Sequence, residues 1–475
     1  MSVLKVLFIN PPYTLYGGVE GQGGKNTPLN LAYLASYLRE HKSNLDVKII
    51  DAEGLDLTFA QLLEEVDGYT PHIVGITCPT AAYYNIRKIC HDLKQQDSGV
   101  KVVLGGSHPT ALPQETIAET GCDAVVIGEG EITFFDLLEA WEKGLPLEKV
   151  RGIAFRDRSS GEIVVTPARE LIQDLDIVPF PAKDLLPIHK YFLPPTKRIR
   201  SERATNMVTS RGCPYNCRFC MAQTMWTRKT RLRSVRNVLD EIRVNVEHYR
   251  LNEFSFHDEV FTLKRDRAAA ICEGILQAGW DITWVCMARV EAVDLELLKL
   301  MKRAGCGKIG FGFESGSPRM LELMNKRMNL ADAIQAAALC KKAGIEVVGN
   351  FVLGYPGENV QSIKETIAFA KQVDCDTAAF FIAIPYPGTQ LWFEAKEKGY
   401  LKDPIDWREF APVSALESPL ILPGLSPREL EKWKKKAYYR FYLRPHYLLK
   451  RLQKIRSSAD MVDLIRGLKI FKNVT

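Results

Sequence analysis

A chain of 475 residues is too long for one hydrophobic core, so two or three domains are expected. With 46% hydrophobic and 25% charged residues it has the make-up of a globular protein and not of a disordered or fibrous one. The net charge of +6 conceals a split: from Ser426 onward fourteen Lys and Arg face four Asp and Glu, a surplus of +10, while everything before sums to −4. The opening "MSVLKVLFINPP" has too short an apolar run for a signal peptide, and no stretch approaches the ~20 apolar residues of a spanning helix. A cytoplasmic protein is expected. Eleven cysteines, an odd number, then point to thiols or metal ligands and away from a disulfide framework.

Residues 3–144 alternate strand and helix five times, with buried-strand runs at "LKVLFIN", "LDVKII", "HIVGIT", "VKVVLGG" and "DAVVIG". Helical patterns such as "PLNLAYLASYLREH" and "NIRKICHDLKQQ" fall between them, which predicts a doubly wound, parallel α/β sheet over 1–144. Such sheets bind ligands beyond the carboxyl ends of their strands. Loop-formers stand there: Asn10, Pro11 and Pro12; Thr77, Pro79 and Thr80; Gly105 to His108; Gly128 to Glu131. Residues 145–200 break the rhythm with a hairpin turning at Ser160-Gly161 and a proline-rich linker, "DIVPFPAKDLLP". A second alternation over 201–400 has strands at "TNMVTS", "EFSFH", "TWVCMA", "KIGFGFE", "EVVGNFVLG" and "TAAFFIAI". Six βα units suggest a partial barrel, with its chemistry at the strand carboxyl ends. The segment 401–475 reads as helical, aromatic and basic.

Just after the first strand of the second unit comes "RGCPYNCRFC", with Cys213, Cys217 and Cys220. Gly212 and Pro214 disfavour a regular helix, so the thiols sit on a loop able to wrap a cluster. Iron–sulfur clusters are normally held by four thiolates. Three would leave one iron of a [4Fe–4S] cluster open to another ligand. Structural zinc is the main rival, but it needs four ligands, usually in two spaced pairs. Cys272 and Cys286 stand alone, and His248 and His257 belong to different elements. A redox Cys-x-x-Cys pair would leave Cys213 unexplained.

On these residues the region 203–400 resembles the radical S-adenosylmethionine (SAM) superfamily, whose C-x3-C-x2-C motif matches Cys213, Cys217 and Cys220, with the aromatic Phe219 before the last cysteine. The resemblance implies that SAM chelates the open iron through its amino and carboxylate groups. Reductive cleavage then yields methionine and a 5′-deoxyadenosyl radical, with a flavodoxin or ferredoxin as electron donor. Residue by residue, it implies Asp258 and Glu259 of "FHDEVF" for the SAM ammonium. Glu314 of "GFGFESGS" would serve the ribose hydroxyls, and Arg289 of "CMARVEAV" the methionine carboxylate. Asn350 and Gly354 to Gly357 of "GNFVLGYPGE" would line SAM.

Residues 3–144 resemble the cobalamin-binding domain that precedes the barrel in one large subclass, through "LFINPPY", "GITCPT", "VVLGGSHPT" and "VIGEGE". The D-x-H-x-x-G signature, whose histidine coordinates cobalt from below, is missing, and His108 lies on a different loop. The resemblance implies cobalamin contacts at Asn10, Thr77, Thr80, Gly105, Gly106, Gly128 and Glu129. It also implies methyl transfer to an unactivated carbon, against the alternatives of radical oxidative cyclisation or rearrangement, or a vestigial cobalamin domain. For residues 430–455 two readings stand: Trp433, Tyr438, Tyr439, Phe441, Tyr442 and Tyr447 form an interfacial belt on an anionic membrane, bringing a lipid substrate, or they pack as a helical cap. No nucleic-acid partner is expected, because the body is acidic and no binding fold is recognised.

Overall fold

A computed structural model describes residues 3–12, 25–194, 196–200, 203–411 and 418–453, with side chains to 449. The first sheet is built from β1 (Leu4–Asn10), β2 (Leu45–Asp51), β3 (Ile73–Thr77), β4 (Lys101–Gly105) and β5 (Ala124–Val126), parallel in the order 2-1-3-4-5. Both faces are covered, so its strands are continuously apolar: Val6, Leu7, Phe8 and Ile9 of β1 have no exposure. Val6 and Phe8 pack under helices Leu29–His41 and Glu131–Lys143; Leu7 and Ile9 pack under Phe59–Tyr69 and Tyr83–Gln96. The chain leaves β1 in opposite directions for β2 and β3, which opens a crevice at the carboxyl ends there. The hairpin β6 (Ile153–Arg156) and β7 (Ile163–Val165) is not free-standing. It pairs antiparallel onto β5 and extends the sheet to seven strands.

The second sheet is all-parallel: β8 (Thr205–Met207), β11 (Glu253–Phe256), β12 (Thr283–Ala288), β13 (Cys306–Glu314), β14 (Glu346–Leu353) and β15 (Thr377–Ile382), adjacent in chain order. Between β8 and β11 the two short strands β9 (Ser210–Arg211) and β10 (Arg231–Leu232) pair antiparallel. The run "TNMVTS" is therefore split in two, a break the apolar pattern hides. Outer helices begin on capping side chains, as at Ser234, Asp294 and Asn359. Helix Leu330–Ala343 stops at Gly344, whose φ of 75° suits glycine.

The linker is stitched to the barrel. Lys183, 1% exposed, donates to Asn245 Oδ1 at 2.5 Å and lies 3.8 Å from Glu241 Oε1. Burial pushes its pKa down to about 8 despite that carboxylate. The tail forms helices Pro427–Tyr442 and Pro445–Gln453 against β15 and helix Val360–Val373. Phe441 and Tyr447 are buried there, and Trp433, Tyr438 and Tyr442 pack on the barrel core. Of the two readings of the aromatics, the helical cap holds for these five, which pack on the sheet edge. Residues 454–475, with the end of the basic run, lie outside the described residues. Among the described residues no helix is long and apolar enough to cross a membrane.

Candidate active site between the two sheets

The cysteine loop is tied down at its base and along its length. Arg211 and Arg231 are directly opposed in the β9–β10 pair, closing the loop 212–230. Gly212 has a φ of 95°, and a Cβ there would fall 2.1 Å from the Lys229 carbonyl oxygen, so only glycine closes this loop. Further along, Arg218 N donates to Met324 O at 3.0 Å, Asn325 Nδ2 to Asn216 O at 2.7 Å, and Leu391 N to Arg218 O at 2.9 Å. All eleven cysteines are free, eight of them buried; Cys213, Cys217 and Cys220 are the half-exposed three. Burial raises the thiol pKa of Cys213, and that of Cys220 to about 11, so binding iron must displace these protons. The donor set, three accessible thiols on a fixed loop without a fourth cysteine, fits a cluster with one open iron. Among the described residues no three His, Cys, Asp or Glu side chains gather closely enough for a single metal ion.

The barrel strand ends surround this loop. Asp258 is fully engaged: it accepts from Thr209 N (2.7 Å), Thr209 Oγ1 (2.5 Å) and Ser210 Oγ (2.7 Å), fastening the segment that leads into the loop. Glu259 differs. Its Oε2 is buried without a protein partner, and burial raises its pKa. Arg289 lies 3.7 Å over the Tyr215 ring and bonds Glu291 Oε1 at 2.5 Å and Lys326 O at 2.8 Å. Glu314 has a left-handed φ of 59°, a strained conformation of the kind that collects at functional sites. Its carboxylate takes Lys326 Nζ at 2.8 Å, above Gly312, where a Cβ would lie 2.3 Å from Glu314 Oε1. Asn350 is half-buried and donates to Phe311 O at 3.4 Å, while Phe219 packs on the barrel core. Gly354 and Gly357 have φ of 75° and 90°, and their loop is held by Glu358, which accepts from Gly354 N and, at 3.1 Å, from Ser362 Oγ.

A cavity of about 410 Å³ separates the two sheets. The first sheet lines it with Thr77, Gly105, Gly106, Gly128 and Glu129; the barrel lines it with Ser210, Arg211, His257 and Glu259. A Cβ on Gly128 would meet nothing within 4 Å, and one on Gly105 would first meet Val126 at 3.7 Å, so this wall is bare backbone facing open space. From there an apolar slot runs between sheet and helices past Phe8, Leu34, Val103 and Phe134, over Gly75. Flat exposed backbone beside a deep slot fits a corrin ring with a nucleotide tail. Asn10 and Thr80 sit behind the rim instead of on it. Asn10 Nδ2 donates to Asp51 Oδ1 at 2.7 Å, and Thr80 Oγ1 lies 3.4 Å from His108 Nδ1. His108 is fully buried, stacked on Tyr83 with ring centroids 3.7 Å apart, and burial lowers its pKa to about 3. It stays behind the wall. Of the described residues lining the cavity, the histidine is His257, from the barrel, exposed towards the chamber; the protein packed around it and the nearby Lys197 lower its pKa.

Sequence reasoning missed several of these residues. Lys326 lies in no strand-end motif, and only the fold brings it to Glu314. Arg211 and Arg231 look like ordinary solvated bases; the signal that could have found them is their position flanking the cysteine loop. Tyr33 and Trp226, both lining the cavity, carry no motif at all.

The parallel barrel sheet with three accessible thiols on its loop, set against a glycine-walled doubly wound sheet, is the architecture of a radical enzyme with a second cofactor domain. Of the expected SAM residues Glu259 lines the cavity between the sheets, while the cysteines, Arg289, Glu314, Asn350 and Gly354 are not among its lining residues. Known proteins agree. The description of the radical SAM superfamily matches residues 207–370, and that of the B12 binding domain matches residues 20–138. The chain is 38% identical over 451 residues to "Uncharacterized methyltransferase PH0819" of Pyrococcus horikoshii, covering 95% of each. It is 32% identical over 402 residues to the anaerobic magnesium-protoporphyrin IX monomethyl ester cyclase of Rubrivivax gelatinosus, covering 83% of this chain and 70% of that one. The cytidylyl-2-hydroxyethylphosphonate methyltransferase of Streptomyces wedmorensis is 28% identical, covering 84% and 82%. Among solved structures the fold is shared with the radical SAM methyltransferase TsrM from Kitasatospora setae, with a TM-score of 0.70 at 18% identity over 94% of this chain and 90% of that one. It is also shared with the cobalamin-dependent radical enzyme OxsB, with a TM-score of 0.69 at 19% identity over 99% and 72%. The chain belongs to the radical SAM superfamily, in the branch that carries a B12-binding domain. The solved TsrM structure holds cobalamin and a [4Fe–4S] cluster, and the OxsB structure holds aqua-cobalamin and S-adenosylmethionine.

Proposed function

We propose that this enzyme transfers a methyl group to an unactivated carbon of a small-molecule or lipid substrate. When bound, the cluster and SAM supply a hydrogen-abstracting 5′-deoxyadenosyl radical, and cobalamin supplies the methyl group. Cys213, Cys217 and Cys220 hold the cluster. Glu259 Oε2, free of protein partners, receives the SAM ammonium, and that cation offsets its burial. Glu314, oriented by Lys326, takes the ribose hydroxyls; Arg289 faces the methionine carboxylate; Asn350 and the Gly354–Gly357 loop form the remaining SAM wall. Thr77, Gly105, Gly106 and Gly128 give the corrin its flat seat.

The observation that carries the reading is the cavity itself. Its glycine wall faces Ser210 and Arg211 at the base of the cysteine loop, and Glu259, across one chamber, which supports a cobalamin seat next to the SAM and cluster site. The test is anaerobic incubation of reconstituted protein with hydroxocobalamin, SAM and a low-potential reductant such as reduced flavodoxin or ferredoxin. Methyl transfer requires S-adenosylhomocysteine and methylated cobalamin, besides 5′-deoxyadenosine. Formation of 5′-deoxyadenosine alone favours the second reading, radical cyclisation, which the 32% identical cyclase supports. Contact with an anionic membrane is also part of the proposal. It is supported by the outward stripe Lys432, Lys435, Lys436, Tyr439 and Leu443 on the tail helix. Liposome flotation at low and high salt, with Lys432, Lys435 and Lys436 changed to Gln, tests it.

A further inference from the structure

The two arginines that close the cysteine loop meet on one carboxylate of the other domain. Arg211 Nη1 lies 2.7 Å from Glu129 Oε1, and Arg231 Nη1 lies 2.8 Å from both Glu129 oxygens. Arg211 Nη2 lies 2.5 Å from Glu131 Oε1. The linker joins in: Ile172 N donates to Glu129 Oε2 at 2.7 Å, and Ile172 O accepts from Arg231 Nη1 at 2.6 Å. Arg211 is also flanked by the Trp226 and Tyr33 rings, 5.5 and 5.8 Å from their centroids. None of the four charged residues is more than 8% exposed. Burial works against the Glu131 carboxylate, yet Arg211 outweighs it and holds its pKa below the usual range.

Stability alone does not account for such a network. Removing four charges from water offsets most of their mutual attraction, and apolar packing of the same volume often does as well. What these contacts add is direction, since Arg211 spans two carboxylates with Nη1 and Nη2 while Arg231 Nη1 reaches both oxygens of Glu129. Here the directed contacts join two functional loops. On one side, Arg211 is two residues from Cys213, and its pairing with Arg231 sets the loop's base. On the other, Glu129 follows Gly128 of the cavity wall.

We infer that Glu129, Glu131, Arg211 and Arg231 form a positioning clamp that holds the cysteine loop in fixed register with the cobalamin wall. Its members act through the loops they orient. Glu129 thus serves the cofactor indirectly, because its oxygens are taken by the arginines and the Ile172 amide. The inference rests on the proposed reading of the cavity, and its test separates the two. A nitroxide is attached through an unnatural amino acid at exposed Glu148 of the first domain. Its distance to the reduced cluster is read by pulsed dipolar EPR, with and without hydroxocobalamin. The intact clamp should give one narrow distance. Glu129→Gln and Arg231→Met should broaden it or shift it by about 2 Å or more, the scale of a domain rearrangement. They should also weaken retention of hydroxocobalamin at least tenfold. Glu131→Gln, which takes the charge from a single contact, should do so less and serves where the stronger variants do not fold. An unchanged narrow distance in these variants overturns the clamp. Wild-type protein that retains no hydroxocobalamin yet shows the variant-dependent distance would overturn the cobalamin reading and leave the clamp standing.

Discussion

The Tyr442 hydroxyl holds both backbone groups of Ala378, donating to its carbonyl at 2.8 Å and accepting its N–H at 3.0 Å. One turn earlier Tyr438 treats Phe380 the same way, accepting the N–H at 3.2 Å, and the Tyr447 hydroxyl donates to Asp376 O at 2.9 Å. Residues 378 and 380 point the same way along β15, the last strand of the barrel sheet, and 376 directly precedes it. An open sheet edge presents unpaired groups that recruit other strands. The tail helix answers them with phenols at helical spacing.

Tyr442→Phe removes one partner from two backbone groups at once. Leaving buried groups unpaired costs about 1–3 kcal/mol, and the barrel's transition should fall by roughly 2–4 °C for each kcal/mol lost. Scanning calorimetry reads this. An unshifted transition would mean that the edge is satisfied without the hydroxyl.

Each of Cys213→Ala, Cys217→Ala and Cys220→Ala should abolish the cluster's visible absorbance and bound iron after anaerobic reconstitution. Cys272→Ala, a buried core thiol, should keep both. If a triple variant of the loop cysteines retained iron and still released 5′-deoxyadenosine, the site would be misplaced.

Gly105→Leu tests the cavity wall without backbone strain, because Gly105, unlike Gly106 and Gly128, has no positive φ. The added side chain projects into the chamber. Hydroxocobalamin retention on gel filtration should fall at least tenfold, while the iron content holds. Equal retention would place the corrin elsewhere.

Glu314→Gln should raise the SAM concentration needed for half-maximal 5′-deoxyadenosine release about tenfold, the size of one lost charge-assisted hydrogen bond. The cluster spectrum should stay intact. Unchanged SAM dependence would show that the Lys326 pair is purely structural.

Glu358 gives a pH prediction. Burial raises its pKa from 4.5 to about 7, against the bonds from Gly354 N and Ser362 Oγ. Between those values the folded chain holds a proton that the unfolded chain has lost, so stability falls as pH rises through that window. Glu358→Gln cannot ionise and keeps an accepting oxygen. Its melting temperature relative to wild type should therefore climb between pH 5 and pH 8; a pH-independent difference would contradict the assignment.

The parallel cores were legible because burial on both faces writes continuous apolar runs: each of the eleven strand runs of the two alternations contains an observed strand. The cysteine loop was legible because its chemistry is local, three thiols within eight residues. Side-chain commitments were not. Nothing in "FHDEVF" distinguishes Asp258, bound up by Thr209 and Ser210, from Glu259, which is left with a free oxygen. The difference lies in which way each points as β11 ends. Nor does "VIGEGE" reveal that Glu129 turns to two arginines about a hundred residues away. The tail stayed open between cap and belt because a tyrosine suits a headgroup layer and a sheet edge for the same reason, an apolar ring with a polar tip.

The clamp also limits how the two halves can be recombined. A barrel grafted behind a foreign first domain that lacks carboxylates at positions 129 and 131 would bury Arg211 and Arg231 without counter-charge. Breaking a buried pair in this way costs about 3–5 kcal/mol, a large share of a domain's stability. Chimeras between relatives should therefore exchange all four positions as one unit. By the same logic, a substitution at any of them creates pressure for a compensating change on the far side of the chamber, so the two domains have to change in step.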